Sequence, residues 1–253
     1  MADEAKTLPV PCRVLEADPD LAEAVPPERR PQAVNDCLAR ELSVPPGRWA
    51  ARHGSLQEGI GLLVLSGLLI RRVGIDGRFG SELLGEGDLL RPWQGESEPT
   101  ILPVMSSWRI LETTRMALLD DGFMARIAAY PELSGRLVGR ALARSRNLAI
   151  NMAIIHHARV DVRLHMLLWH LAGRWGRVRK GGEVRLPLRL THAVLAEITA
   201  ARRPTVTTAL SELSRRGLVV SDEAGGWLLS GDPPGELTEL ARVGVPAARA
   251  PRA

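Results

Sequence analysis

The sequence predicts an α+β chain in three successive parts: a small β domain, one long helix, and a C-terminal pair of short helices closed by a β-ribbon. Three observations predict it. Short apolar runs separated by Gly- and Asp-containing corners recur at about 8–12-residue spacing as far as residue 118. From residue 132 to 159 the period becomes helical and no proline interrupts it. Finally, 191–217, THAVLAEITAARRPTVTTALSELSRRG, reads as two short helices joined by a tight turn.

Residues 1–31 are rich in Pro, Asp, Glu and Ala with little periodicity, and read as a loose N-terminal segment with room for one short helix. The β domain is expected over 32–131. It opens on a helical stretch around Gln32–Leu42, ended by the breaker cluster Ser43-Val44-Pro45-Pro46-Gly47. Leu62-Leu63-Val64-Leu65 is an apolar run stopped at Ser66-Gly67, and Leu68 to Ile75 is a second. Asp76-Gly77 is the strongest short-range hairpin signal, and Phe79 to Leu84 is the return strand. Gly85, Gly87 and Asp88 mark another corner, and 91–107, with its Pro and Glu residues, is ambiguous. Trp108–Leu111 and Thr113–Leu118 are two strands or one interrupted strand. So many short strands indicate a small sandwich or barrel. Asp120-Asp121-Gly122 can start a short helix, Phe123 to Ala129, broken at Tyr130-Pro131.

The helix over 132–159 would run roughly 40 Å at 1.5 Å per residue. Leu137, Ala141, Arg144, Leu148, Asn151 and Ile155 trace one stripe along it, and Val138, Leu142, Ala149 and Met152 trace a second beside the first. A helix apolar on two adjoining stripes must bury both, one against its own β domain and one against the same helix of a second copy. Leu137, Ala141, Leu148, Asn151 and Ile155 are therefore the candidate dimer interface, although Arg144 and Asn151 interrupt a simple coiled coil. A single core helix packed within one chain is the alternative. Asp161 is placed to cap the next helix, Val162 to about Trp175, whose apolar face is Leu164, Leu167, Leu168 and Leu171. Residues 160–230 form the last folded part, and 231–253 read as a flexible tail.

Charge separates the two halves. Residues 1–130 hold 19 Asp and Glu against 14 Lys and Arg, whereas 131–253 hold 10 against 19, so the formal +4 of the whole chain hides a strongly basic second half. That asymmetry points the second half toward a polyanion. With only Cys12 and Cys37, a disulfide scaffold, a four-cysteine zinc site and a four-cysteine iron–sulfur cluster within one chain are excluded. No apolar run reaches the roughly 18 residues that span a bilayer, and MADEAKTLPVPC is unlike a signal peptide, so a cytoplasmic protein without a membrane anchor is expected.

The chemistry concentrates in 191–217. Thr191 caps a first helix whose Val194, Leu195 and Ile198 share a face, and Thr199-Ala200-Ala201 makes the turn. The second helix begins at Pro204, where a missing N–H costs nothing, and Pro204 should push Arg203 out of helical geometry at the helix mouth. It buries Val206, Ala209, Leu210 and Leu213 and exposes Thr205, Thr207, Thr208, Ser211 and Arg215. Short hydroxylic side chains let a helix lie deep in a major groove, threonine methyls can meet thymine methyls, and Arg203 can pair with guanine O6 and N7. Arg202, Thr205 and the unpaired amides at the helix start suit a phosphate. Leu218-Val219-Val220, a polar turn and Trp227-Leu228-Leu229 add a two-stranded wing. The expectation is a winged helix-turn-helix that binds double-stranded DNA.

This order of elements resembles the cyclic-AMP receptor protein / fumarate-nitrate regulator (Crp/Fnr) superfamily of bacterial transcription regulators. The likeness is most specific in LTHAVLAEITAARRPTVTTALSELSRRGLV (190–219) and moderate in GLLVLSGLLIRRVGIDGRFGSELLGEGDLL (61–90). It implies a cyclic-nucleotide-binding-like β-roll, a long dimerisation helix, and a homodimer on a palindromic operator, with RNA polymerase as a further candidate partner. It also implies that Arg203 reads a base while Thr191, His192, Arg202 and Thr205 meet the backbone. With the exposed side chains, the candidates become Arg203, Pro204, Thr207 and Thr208 for bases, and Thr191, His192, Arg202, Thr205, Ser211 and Arg215 for backbone.

The departures carry as much information. Well-known members have Glu where this chain has Pro204, and a second base-reading Arg where it has Thr208, so the operator should differ from the familiar one. The turn glycine is replaced by Ala200. Nucleotide-binding members follow a Gly-Glu pair with Arg-Ser/Thr-Ala, whereas Gly87-Asp88-Leu89-Leu90 is followed here by Arg91-Pro92-Trp93 and then Glu96 and Glu98. Negative charge there opposes a phosphate, so no cyclic-nucleotide gating is expected. Adjacent His156 and His157 point about 100° apart on a helix, which disfavours shared ligation, and neither cofactor nor metal is expected. Walker, GxGxxG, GxSxG and HExxH motifs are all missing, so an enzyme is not expected. The alternative is a small-ligand sensor that acts through protein contacts.

Overall fold

A computed structural model describes residues 10–50, 59–93 and 104–235, and the chain divides into two compact units, Met1–Leu148 and Ala149–Ala253. In the first unit, β1 (Val10–Arg13) leads through the short helices α1 (Val14–Ala17), α2 (Pro19–Ala22) and α3 (Arg30–Asp36) to β2 (Leu38–Val44), which pairs antiparallel with β1. From residue 10 onward the segment expected to be loose is therefore structured. Val14, Leu21 and Val25 are completely buried, and Asp18 caps α2 by accepting from the amide of Leu21 at 3.0 Å. The helix expected over Gln32–Leu42 is likewise half strand: α3 ends at Asp36 and β2 begins two residues later.

After β3 (Gly47–Trp49) comes β4 (Gly61–Ile75), a single 15-residue strand where two runs were expected. The bulge at Ser66–Leu68 joins the two runs, and Gly67 sits there at φ +98°, where a Cβ would lie 2.5 Å from the Thr113 carbonyl oxygen. The strand then turns back into β5 (Arg78–Gly85) through Asp76 and Gly77, both at positive φ as a two-residue type I′ hairpin requires. β6 (Leu89–Leu90) pairs with β4, and β7 (Met105–Leu119) is one continuous strand lying antiparallel along β4. The sheet order is β1-β2-β7-β4-β5, with β3 on β7 and β6 on β4.

Both faces of the central strands are covered, which is why Leu62-Leu63-Val64-Leu65 does not alternate with polar residues. Leu62, Val64, Met116 and Leu118 point into a core with Trp93, Trp108 and Ile110. Leu63, Leu65, Ala117 and Leu119 point the other way, onto α1–α3 and the residues that follow β7. Asp120 caps α4 (Asp121–Ile127) by accepting from Phe123 N at 2.8 Å.

α5 (Pro131–Ile155) ends four residues before the expected 159. Leu133 and Leu137 bury one of its faces in the first unit's own core. Leu137 is 2% exposed, so of the candidate interface residues it is not available to a second copy. Farther along that face, Arg140 makes a two-point ion pair with Asp18. One helical turn later, Arg144 grips Glu82 with two 2.8 Å bonds and donates to the Leu89 carbonyl at 2.7 Å. Arg144 thus interrupts the apolar stripe because it ties α5 to β5 and β6. Ala141 and Leu148 are exposed, and Asn151 and Ile155 are half-buried. The most exposed large apolar residues of α5 are Val138, Leu142 and Met152, 59%, 66% and 54% accessible, which lie on the second stripe.

The second unit contains α6 (Val160–Trp175), β8 (Arg177–Val178), β9 (Val184–Leu186), α7 (His192–Ile198), α8 (Arg203–Arg215), β10 (Val219–Ser221) and β11 (Trp227–Leu229). Asp161 is not the cap of α6. Arg159 occupies that position with extended backbone, and Asp161, inside the first turn, accepts two bonds from the Arg159 guanidinium. α8 packs on α6 and α7, and the strands form an antiparallel sheet in the order β10-β11-β9-β8, so the expected two-stranded wing is part of a larger sheet. Among the described residues no helix is long and apolar enough to cross a membrane.

Candidate nucleic-acid interface

α7 and α8 are set by local chemistry. Thr191, extended at φ −70°, caps α7 by accepting from Val194 N at 3.3 Å, while Val194, Leu195, Ala196 and Ile198 are buried. The buried Thr199 returns its hydroxyl to Leu195 O at 2.7 Å, and Ala200 then takes φ +51° to reverse the chain. Left-handed backbone at an alanine costs roughly 1–2 kcal/mol, and the turn is made here without the usual glycine. Arg163 donates to the carbonyl of Thr199 at 3.1 Å and also to that of His157.

α8 starts at Arg203, one residue earlier than expected. Arg202 is the extended cap residue at φ −82°, ψ 142°, so Arg203 lies inside the helix and Pro204 at its second position. The proline still fits, because first-turn amides have no partner within the helix. The effect of Pro204 on the preceding backbone is thus overridden by the helix. Val206, Ala209, Leu210 and Leu213 are buried, and Arg202, Arg203, Pro204, Thr205, Thr207, Thr208, Ser211 and Arg215 are all exposed. One turned face carries every residue singled out on this helix.

The arginines on that face differ. Arg202 and Arg203 have no ion pair among the described residues, and they flank the open amides of Arg203 and Thr205 at the positive end of the helix dipole. Arg215, by contrast, is engaged by Glu212 of its own helix through bonds of 2.8–3.1 Å. Half-buried His192 holds Thr207 Oγ1 at 2.9 Å from Nδ1, and its ring lies 6.5 Å from that of Trp227 on β11. An open groove of about 410 Å³, lined by Arg189, Leu190, Thr191 and 223–225, separates the start of α7 from the wing turn.

Some of this lay beyond sequence reasoning. Arg189 and Arg163 carry no motif, and only the general arginine excess of the second half hinted at them. Arg185 pairs with Asp222 at 2.5 Å and holds that carboxyl below its usual range, which fixes the wing turn to β9. His156 is exposed and His157 half-buried, and among the described residues no group of three or more metal-ligating side chains occurs. Cys12 and Cys37 are free, and burial pushes both thiols up to about 11, so neither is an activated nucleophile. Glu96 and Glu98 lie outside the described residues, whereas Trp93 is buried in the β-domain core.

Comparison with known proteins agrees with this geometry. Residues 162–230 match the family model of the Crp-like helix-turn-helix domain. The CRP-like cAMP-activated global transcriptional regulator of Mycobacterium tuberculosis is 26% identical over 185 residues, covering 70% of this chain and 79% of that protein. Among solved structures, a cyclic nucleotide-binding domain containing protein from Listeria monocytogenes aligns with a TM-score of 0.60 at 14% identity, covering 74% of this chain and 87% of its own. FixK2 from Bradyrhizobium japonicum aligns with a TM-score of 0.54 at 17% identity, covering 83% and 99% respectively. At these identities the structures establish the shared fold.

Proposed function

As this chain belongs to the Crp/Fnr superfamily of transcription regulators, we propose that it is a homodimer that recognises a palindromic operator and acts by binding rather than by catalysis. The observation that carries this reading is the exposed face of α8, with Arg202 and Arg203 unpaired at its positive end over a buried apolar underside. A helix so held enters a major groove with its N-terminal residues at the base edges. Arg203, Pro204, Thr207 and Thr208 would face bases. Thr191, His192, Arg202, Thr205 and Ser211 would meet the backbone, and Arg215 would do so only after release from Glu212. The second copy would pack along the Val138, Leu142 and Met152 stripe of α5 together with Ala141 and Leu148, placing two recognition helices about 34 Å apart. Its place of action would be the cytoplasm, where RNA polymerase is a further partner.

Gel shift and footprinting on duplex DNA, beginning with the region upstream of the chain's own gene, test this reading. Arg203→Ala is expected to weaken specific binding by about 1–3 kcal/mol and to relax selection at one base pair per half-site. Equal discrimination by variant and parent would remove Arg203 from the base readers.

The same proposal holds that cyclic nucleotides do not gate binding. Arg91-Pro92-Trp93 replaces the phosphate-binding cassette, and Trp93 is packed in the β-domain core rather than held open to a ligand. Asp88 accepts from Gly85 N at 2.9 Å, which ties its carboxylate into the turn. Calorimetric titration with cyclic AMP and cyclic GMP is expected to give no binding heat, and micromolar affinity would overturn this part of the reading.

A further inference from the structure

We propose that Thr207 selects an amino-bearing base, adenine or cytosine, because its hydroxyl can offer DNA lone pairs but no proton, and that His192 is the residue that holds it so. The proposal rests on α8 being the recognition helix. The Thr207 hydroxyl has one proton and two neighbours that compete for it, the Arg203 carbonyl oxygen at 3.1 Å and Nδ1 of His192 at 2.9 Å. If Nδ1 carries a proton, the imidazole donates to Oγ1 and Oγ1 donates to Arg203. If Nδ1 is bare, it accepts the Thr207 proton itself. A doubly protonated ring restores the first arrangement. Whichever nitrogens are protonated, the threonine proton is engaged inside the protein, and only acceptor capacity faces outward.

In the major groove that capacity has few matches. Purine N7, guanine O6 and thymine O4 are acceptors, as are phosphate oxygens, while the adenine N6 and cytosine N4 amino groups are the donors. An acceptor-only hydroxyl therefore favours those two amino groups and gains nothing from a phosphate. Thr208 and Ser211 differ from Thr207 in degree. Each returns its proton to a single carbonyl four residues back, at 3.2 and 3.0 Å, and can turn away from it. Thr207 alone of the three is also held by a side chain from the preceding helix. His192 in turn is steadied by its half-buried setting beside the Trp227 ring. Through Nδ1 it acts as a positioning residue for Thr207, which leaves Nε2 for the backbone contact proposed above.

The test is selection by the full chain from duplexes with randomised half-sites, followed by affinity measurement on the selected site and its single-base variants. The parent is expected to show adenine or cytosine at one symmetric position, where a keto base, or a purine lacking the 6-amino group, weakens binding by about tenfold. Thr207→Val should erase that preference at this position alone, and Thr207→Ser, which keeps the hydroxyl, should retain it. His192→Phe keeps a ring beside Trp227 but removes the nitrogen, and is expected to admit keto bases at the same position and no other. A histidine that only supports the fold or meets the backbone would, on substitution, lower affinity evenly across all sites and leave the base preference at this position unchanged. A sharp parent motif that Thr207→Val leaves intact overturns this inference while α8 remains the reader. A parent that selects no sequence overturns the recognition-helix reading and this inference with it.

Discussion

His170 sits half-buried on α6, and burial, reinforced by the Arg174 charge, pulls its pKa down to about 4. The unfolded chain takes up that proton near pH 6.5, so between the two values the unfolded state binds more protons than the folded one. Stability is therefore complete above pH 6.5 and falls as the pH drops toward 4, by up to about 3 kcal/mol for a shift of this size. Two carboxylates of the same unit behave differently. Hydrogen bonds from Arg159 to Asp161 and from Arg185 to Asp222 hold both below their usual range, so their contribution persists until the pH falls below about 4. The window from 6.5 to 4 thus separates His170 from these two carboxylates. Denaturant unfolding of the parent and of His170→Phe, followed at the second unit's tryptophans at pH 7 and pH 4.5, should show a clear loss in the parent and a flatter response in the variant. Equal losses would place the acid sensitivity elsewhere.

At the scale of elements, what could be read in the sequence follows from how local its cause is. The Asp76-Gly77 hairpin, the helix start at Asp120-Asp121-Gly122, the Thr191 cap and the buried side of α8 are all legible, because each depends on residues within one turn or one strand pair. Along the sequence β4 reads as two strands, since Ser66-Gly67 looks like a stop. Only the long antiparallel partner β7 carries the chain through that bulge, with Gly67 against the backbone of Thr113 and Thr114. The N-terminal region failed for a related reason. Val14, Leu21 and Val25 have no shared period along the chain, and they become a core only when α4 and the start of α5 close over them. α5 was right as a helix and partly wrong as an interface. On its 3.5-residue stripe Leu137 and Arg144 face inward while Ala141 and Leu148 stay exposed, and nothing local to the helix says that Asp18 and Glu82 await the arginines of α5. On the exposed face of α8 the residue types are legible and the bonds among them are not. The pairing of His192 with Thr207 spans 15 residues, and that of Arg215 with Glu212 neutralises a charge the sequence counts as free.

For the whole molecule, the separation of charge and the apolar stripe of α5 make one joint demand. The basic excess lies in residues 131–253, so the charge that suits a polyanion belongs to the part of the chain that contains α8. On the proposed function a single α8 would cover one half-site, whereas two copies joined along α5 would make the second contact intramolecular, worth about 10²- to 10⁴-fold in avidity. Leu142 and Met152 are 66% and 54% accessible within one chain, so charge placed on them disturbs nothing in that chain's core and everything in a helix–helix seam. The double variant Leu142→Glu, Met152→Glu is therefore expected to sediment as a single 27.5 kDa chain with an unchanged circular dichroism spectrum. Its affinity for a two-half-site operator should fall by about 100-fold or more. The slope of log affinity against log salt should fall to about half, since that slope counts the phosphates neutralised and one copy reaches half of them. Arg203→Ala should instead keep the dimer and most of the salt slope while losing specificity, because it removes a base contact and leaves the seam alone. A double variant that remains dimeric would show that the copies meet elsewhere, and the stripe on α5 would then need a different cover.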